Sequence, residues 1–359
     1  MRSSPLIFRP RVSPCGSRAV TPKACRLKDS RTPPSCSRRA AGLARAAACL
    51  ILFTTAAWDA VGASYGLRPQ PVAPGVYVFP GSQDALTPDN GANIANTGFI
   101  VGSRGVLAIE AGPTRRYGKE MLAAIRSVTD LPIRYAVITH RHPDHSFGLG
   151  AFREAGVDVL MHPAEAEGLA NEGPALLELM TALVGDAWTQ GTTIEAPSEM
   201  LTEDRHVDLG DRPVDILVLE GGHSSGDLVV HDRTSGVAFF GDLLFVGRAA
   251  TVPHADIGVW LMHLDRLETL PWTKGVPGHG PILDDRAGFA DTRDWIRFLR
   301  SRILEAVLTG ESPAEVLDPG VPGPFAGMVE AGPTFGRAVL QLYRRYEAMD
   351  PAELDALAQ

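Results

Sequence analysis

The sequence predicts an α/β domain in which two sheets pack face to face with helices on their outer sides. Two observations lead there. Runs rich in β-branched and aromatic residues fall into two groups, roughly 76–161 and 214–240, each accompanied by segments with helical apolar spacing. No Pro/Ser-rich linker and no short-period repeat divides the groups, so one layered domain fits better than two independent ones.

The elements follow in order. Residues 76–80 and 97–101 are short strands, and 106–110 is another after the Ser103-Arg104-Gly105 turn. Met121, Leu122, Ile125 and Val128 fall on one helical face, which predicts a helix over 115–128. Residues 133–139 form an apolar strand that runs into a His-rich loop, and 156–161 form a further strand. Leu176, Leu177, Met180, Leu183 and Val184 predict a helix that begins after Gly173-Pro174. Three close strands, 214–219, 228–231 and 237–240, are separated by Gly-containing turns. Helices are expected at about 256–269 and 290–308, the second lined by Ile296, Leu299, Ile303 and Val307 and capped by Gly310. The Gly/Pro-rich stretch 310–334 reads as a loose connection to one last helix at about 336–348.

Charge divides the chain unevenly. Of 34 Lys+Arg and 42 Asp+Glu, residues 1–63 hold 11 and 2, which leaves 23 and 40 for the remainder. A body this acidic is a poor partner for nucleic acid, whose nonspecific binding depends on Lys and Arg. All 4 Cys (Cys15, Cys25, Cys36 and Cys49) lie in the basic segment, so the body has neither disulfides nor Cys-ligated zinc. Residues 46–57 form an apolar run of signal-peptide length, too short to span a bilayer, preceded by Arg38, Arg39 and Arg45. Val61-Gly62-Ala63 supplies small residues for cleavage after Ala63. The expected organisation is a targeting segment over 1–63, a layered α/β domain over 64–310 and a C-terminal extension with one helix over 311–359. The mature protein is expected in the periplasm or secreted, with no stable membrane insertion.

Chemistry concentrates in His140-Arg141-His142-Pro143-Asp144-His145, three imidazoles and a carboxylate within six residues directly after an apolar strand. Such clustering suits zinc and similar ions and is rarely a packing device. Three later residues each end an apolar run and enter a turn: His223 in Gly221-Gly222-His223, Asp242 in Gly241-Asp242, and His279 in Pro277-Gly278-His279-Gly280.

With these motifs in this order, the sequence resembles the metallo-β-lactamase fold superfamily over roughly residues 70–285. The resemblance implies an αββα sandwich of two mixed sheets with outer helices and a two-metal site at the edge of both sheets. It further implies that His140, His142 and His223 bind one metal, that Asp144, His145 and His279 bind the second, and that Asp242 bridges them. Two Zn(2+) ions, with Fe or Mn as alternatives, would sit ~3.5–4 Å apart, activate a hydroxide and polarise the scissile oxygen. Asp144 is the residue implied to orient that hydroxide. Glu110 stands where the family usually has Asp, and reads equally as a partner fixing a His ring or as a strand-end carboxylate.

Asp242 matches glyoxalase-II-like hydrolases, whereas the lactamases have Cys or Ser there. His142 departs from the Glu of flavodiiron proteins, and the tail has no recognisable glutathione-binding basic cluster. Leu67-Arg68-Pro69, residues 76–81 and residues 93–99 are similar to a narrower group, the SoxH-related zinc metallohydrolases of quinoprotein relay systems, which implies a link to periplasmic quinoprotein dehydrogenases. The function implied is an exported zinc metallohydrolase acting on a small-molecule ester, thioester or amide. The alternative is a persulfide-dioxygenase-like oxidoreductase with one iron on His140, His223 and Asp242. A binding protein with structural metal fits less well, because such sites close with four ligands. His162, His206, His231, His254 and His263 read as surface, helix or strand residues, although His254 and Trp260 lie between ligand motifs, where they can line the cleft. The segment 165–205 reads as a helix burying an apolar stripe, with a lid carrying Met180 and Trp188 as the alternative.

Export is checked by amino-terminal sequencing of the protein from its native host. The expected first residue is near Ser64, and an intact cytosolic chain beginning before Ala46 overturns the expectation.

Overall fold

The computed structural model describes residues 63–358, so the apolar run at 46–57 and nearly all of the expected leader lie outside the described residues. The first sheet runs in chain order, β1 (Gln70–Ala73), β2 (Val76–Phe79), β3 (Thr97–Val101), β4 (Val106–Ile109), β5 (Ile133–Val137), β6 (Asp158–Met161) and β7 (Glu199–Met200). It is antiparallel from β1 to β4 and parallel from β4 to β7. The second sheet contains β8 (Arg205–Asp208), β9 (Pro213–Glu220), β10 (Gly226–Asp232), β11 (Val237–Phe245) and β12 (Lys274–His279), in the order β12-β11-β10-β9-β8. Only β11 and β12 pair in parallel, so both sheets are mixed. The helices are α1 (Arg115–Val128), α2 (Pro143–Ser146), α3 (Leu149–Glu154), α4 (Pro163–Val184), α5 (Asp186–Thr189), α6 (Ile257–Glu268), α7 (Gly288–Thr309), α8 (Pro313–Leu317), α9 (Ala331–Glu347) and α10 (Pro351–Ala358).

Strand alternation explains the layering. Val76, Val78, Ile100, Leu107 and Ile109 of the first sheet meet Ile216, Leu228, Val230, Val237 and Phe239 of the second in one buried core between the sheets. Their neighbours Phe79, Phe99, Val106 and Ala108 point the other way, onto α1, α3 and α4. Val229, Ala238 and Phe240 likewise turn outward to α6, α7 and α9. Because successive side chains leave opposite faces and both faces are covered, these strands read as continuous apolar runs. The expected αββα sandwich is the observed one.

Several boundaries differ from expectation. The helix expected to begin after Gly173-Pro174 begins at Pro163, and Pro174 lies inside α4. The missing Pro174 N–H is outweighed by tertiary packing, with Leu169, Met180 and Val184 buried on one side. The strand expected at 237–240 runs to Phe245, so Asp242 sits within β11 and not in a turn after it. Gly241 takes a left-handed φ of 53° there, which bends the strand without ending it. The C-terminal extension, expected to carry one helix, carries α8, α9 and α10, and Val316, Phe335, Val339, Leu342 and Tyr346 join the core under the second sheet.

One buried polar clip joins the sheets at the end away from the His cluster. Arg212 donates to Asp232 Oδ2 at 2.6 Å, to Val101 O at 3.0 Å and to Pro74 O at 2.9 Å. Replacing it leaves the fully buried Asp232 without its cation. Arg212→Ala is therefore expected to cost about 3 kcal/mol, read as a lower denaturant midpoint with an unchanged slope.

Candidate metal centre

The seven residues singled out in the sequence come together at one end of the sandwich, from the segments after β5 and β9 and from β11 and β12. His140 and His142 lie on the loop after β5, with Asp144 and His145 in the first turn of α2. His223 follows β9 on a turn with two left-handed glycines, Gly221 and Gly222. Asp242 projects from β11, and His279 ends β12.

Their donor atoms fall into groups able to hold a metal: His140, His142, His223 and Asp242; Asp144, His145 and His279; and Glu110 with His140 and His145. His142 Nδ1 lies 2.9 Å from His140 Nε2 and 3.0 Å from His223 Nε2. Asp242 turns a different oxygen to each side. Its Oδ2 is 3.6 Å from His140 Nε2 and 3.3 Å from His223 Nε2. Its Oδ1 is 3.1 Å from His145 Nε2 and 3.2 Å from His279 Nε2. Asp144 Oδ2 closes that second side, 3.5 Å from His145 Nε2 and 3.4 Å from His279 Nε2. Gly278 makes the approach of Asp242 possible, since a Cβ there would stand 2.0 Å from Oδ1.

The outer ring atoms explain why the inner ones face inward. Buried Glu110 accepts from Thr139 N at 3.1 Å and from Thr139 Oγ1 at 2.5 Å, and its Oε1 lies 3.1 Å from His145 Nδ1. It is therefore the partner that fixes a His ring, held in a left-handed conformation (φ 63°) that is strained for a non-glycine residue. The Thr139 hydroxyl, having donated to Glu110, accepts from His140 Nδ1 at 3.0 Å. His279 Nδ1 donates to Ile94 O at 2.9 Å, while Phe245 stacks on its ring. Each contact puts a proton on Nδ1 and makes Nε2 the nitrogen turned toward the centre.

The donor set fits a metal ion. Imidazole and carboxylate are zinc, iron and manganese ligands, and no thiol is present to bias the choice. Buried His145 Nε2 and Asp242 Oδ1 lack any hydrogen-bond partner, as expected of atoms reserved for a cation. Burial holds His140 and His142 well below the usual imidazole range and pushes His223 down to about 3, so these rings are neutral and able to ligate. Burial also opposes charge on His145, but Asp242, Asp144 and Glu110 outweigh it and raise its pKa well above normal. Burial alone would raise the Asp242 carboxyl, yet His279 and His145 hold it well below the usual range.

The cluster opens into a cavity of about 410 Å³. His142, Asp144, Asp242 and His279 form its floor; Leu179 and Leu183 of α4 form one wall; Thr334, Arg337 and Ala338 of α9 form another. The segment 165–205 buries an apolar stripe through Leu169 and Met180, as the first reading had it; the residues that border the cleft are Leu179 and Leu183, not the Met180 and Trp188 of the lid alternative. Trp188 packs instead on Tyr65. Trp260 is fully buried in a T-shaped pair with the His223 ring, so it packs on a candidate ligand and does not line the cavity.

His254, expected as a surface, helix or strand residue, sits against the centre. Its Nδ1 lies 3.0 Å from His142 Nε2 and its Nε2 lies 3.2 Å from Glu172 Oε2 of α4. Glu172 in turn pairs with Arg141, whose guanidinium also reaches fully buried Glu165 at 2.7 Å. The only signal in the sequence was its place between two ligand motifs. His254→Ala is expected to weaken metal retention by roughly tenfold or more, measured by chelator competition, because His142 loses the partner that orients its ring.

The model of the Metallo-beta-lactamase superfamily matches residues 90–310. The acyl-coenzyme A thioesterase MBLAC2 of Gallus gallus is 30% identical over 207 residues, covering 52% of this chain and 73% of that protein. A linear primary-alkylsulfatase of a Pseudomonas species is 21% identical over 307 residues, 72% of this chain and 57% of that protein. A metallo-β-lactamase from Pontibacter korlensis superposes with a TM-score of 0.53 at 19% identity, over 64% of this chain and 99% of that one, a likeness of fold.

Proposed function

The chain belongs to the metallo-β-lactamase superfamily, and we propose that it is a two-metal hydrolase of acyl thioesters, with zinc as its metal. The observation that carries this reading is Asp242, whose two oxygens face two separate donor groups beside an apolar cavity. His140, His142 and His223 would hold one ion, and Asp144, His145 and His279 the other. Ions held there would supply Lewis acidity and would lower the pKa of water toward about 7. The chain's residues do the remainder. Asp144 borders the cavity and orients the attacking water. Leu179, Leu183 and Val252 bind the apolar part of the substrate and exclude bulk water from the reacting carbonyl. The acyl-coenzyme A thioesterases among the relatives support the thioester over the ester and amide.

We also place the protein outside the cytoplasm, on the strength of the basic leader, its short apolar run and a body without Cys. Among the described residues no helix is long and apolar enough to cross a membrane.

Elemental analysis of the purified protein should find about two ions per chain. Chelation should abolish hydrolysis of a panel of acyl thioesters, and zinc should restore it. Asp242→Ala should lose both ions, and His279→Ala only one. Iron in the native protein, with oxygen uptake on a persulfide and no acyl turnover, would establish the dioxygenase alternative. The two sides should also differ in acid. Loading the second side displaces a proton from His145, so its affinity falls as pH falls. The imidazoles of the first side are held neutral by burial and do not compete with protons in that range. Titration from about pH 8 to about pH 5.5 should therefore release one ion before the other.

A further inference from the structure

The family match ends at residue 310, yet α9 lies beyond it and forms a wall of the cavity. The two helical walls differ in character. On α4, Leu179 and Leu183 are 56% and 47% exposed although large and apolar, and they sit one turn apart facing the cavity. On α9, Thr334 and Arg337 occupy the facing positions. The cavity's other cation, Arg248, is committed: it is buried and donates to the carbonyls of Gln83 and Asp84. Arg337 is exposed, donates to Thr334 Oγ1 at 3.1 Å, and has no carboxylate partner among the described residues. Glu330, at the start of α9, is the acidic residue of this wall and lies toward Arg248.

We propose that α9 selects the substrate: Arg337 reads an anionic group on the leaving side of the scissile bond, while Leu179 and Leu183 grip an apolar acyl arm. The substrate class is then an amphiphilic thioester whose thiol portion carries a carboxylate or phosphate. This rests on the hydrolase reading for the direction of the reaction, but recognition can be measured without turnover. An unpaired guanidinium at the mouth of an apolar cavity has donors free for an anion. Two exposed leucines opposite it gain by being covered.

The test uses zinc-loaded full-length protein and two uncleavable thioethers of equal chain length, S-octyl-3-mercaptopropionate and S-octyl-N-acetylcysteamine. Calorimetry should show the anionic ligand binding about tenfold tighter, and Arg337→Gln should remove that preference while leaving the neutral ligand within about twofold. Leu183→Asp should weaken both ligands. If the anionic ligand keeps its advantage in Arg337→Gln, it is held by the metal alone and the assignment to Arg337 is wrong. Equal affinity of the two ligands in the unsubstituted protein also overturns it. Hydrolysis of the matching octanoyl thioesters, measured separately, tests the hydrolase reading. Its failure alongside an Arg337-dependent preference would leave the recognition site standing and remove the reaction.

Discussion

One buried carboxylate sets the arrangement at the end of the sandwich. Asp242 is 3% exposed, and the imidazoles of His140, His145, His223 and His279 surround its two oxygens. A carboxylate in that position is costly unless positive charge faces both of its oxygens. His140, His142, His145 and His279 are aimed inward by contacts on their far sides, with Thr139, His254, Glu110 and Ile94 each meeting an outer nitrogen. The centre is thus a shell of oriented lone pairs around an anionic hub, which favours a cation at the middle.

The two sheets make this possible because each supplies part of the shell from a rigid strand end. The loop after β5 belongs to the first sheet, and Asp242 and His279 to adjacent parallel strands of the second. The core between the sheets fixes their separation, and Gly278 lets the strands approach without a Cβ between β12 and Asp242. Strain is kept where it serves orientation. Glu110 adopts a left-handed conformation at the end of β4, which turns its carboxylate toward Thr139 and His145 instead of solvent.

The C-terminal helices change how the cleft is read. They lie past the family match, and their apolar faces complete the core under the second sheet. Once α9 is docked there by Phe335, Val339 and Leu342, its other face closes the cavity. A helix that looks like an appendage in the sequence is, in the fold, both core and cavity wall.

The sequence alone determined the layered fold and the donor set, because both are written in local patterns. Apolar runs mark doubly covered strands, and three histidines and an aspartate in six residues have few other uses. The orienting partners were not legible in the same way. Glu110 stood undecided between two readings, and His254 resembled any isolated surface histidine, since the residues they touch are 35 and 112 positions away. The continuation of α4 through Pro174 and of β11 through Asp242 was equally hidden, because packing overrode the local breakers. Tertiary structure alone decided which oxygen of Asp242 faces which group and which helices enclose the cavity. Those are matters of direction and distance between segments remote in the chain, and neither spacing nor composition encodes them.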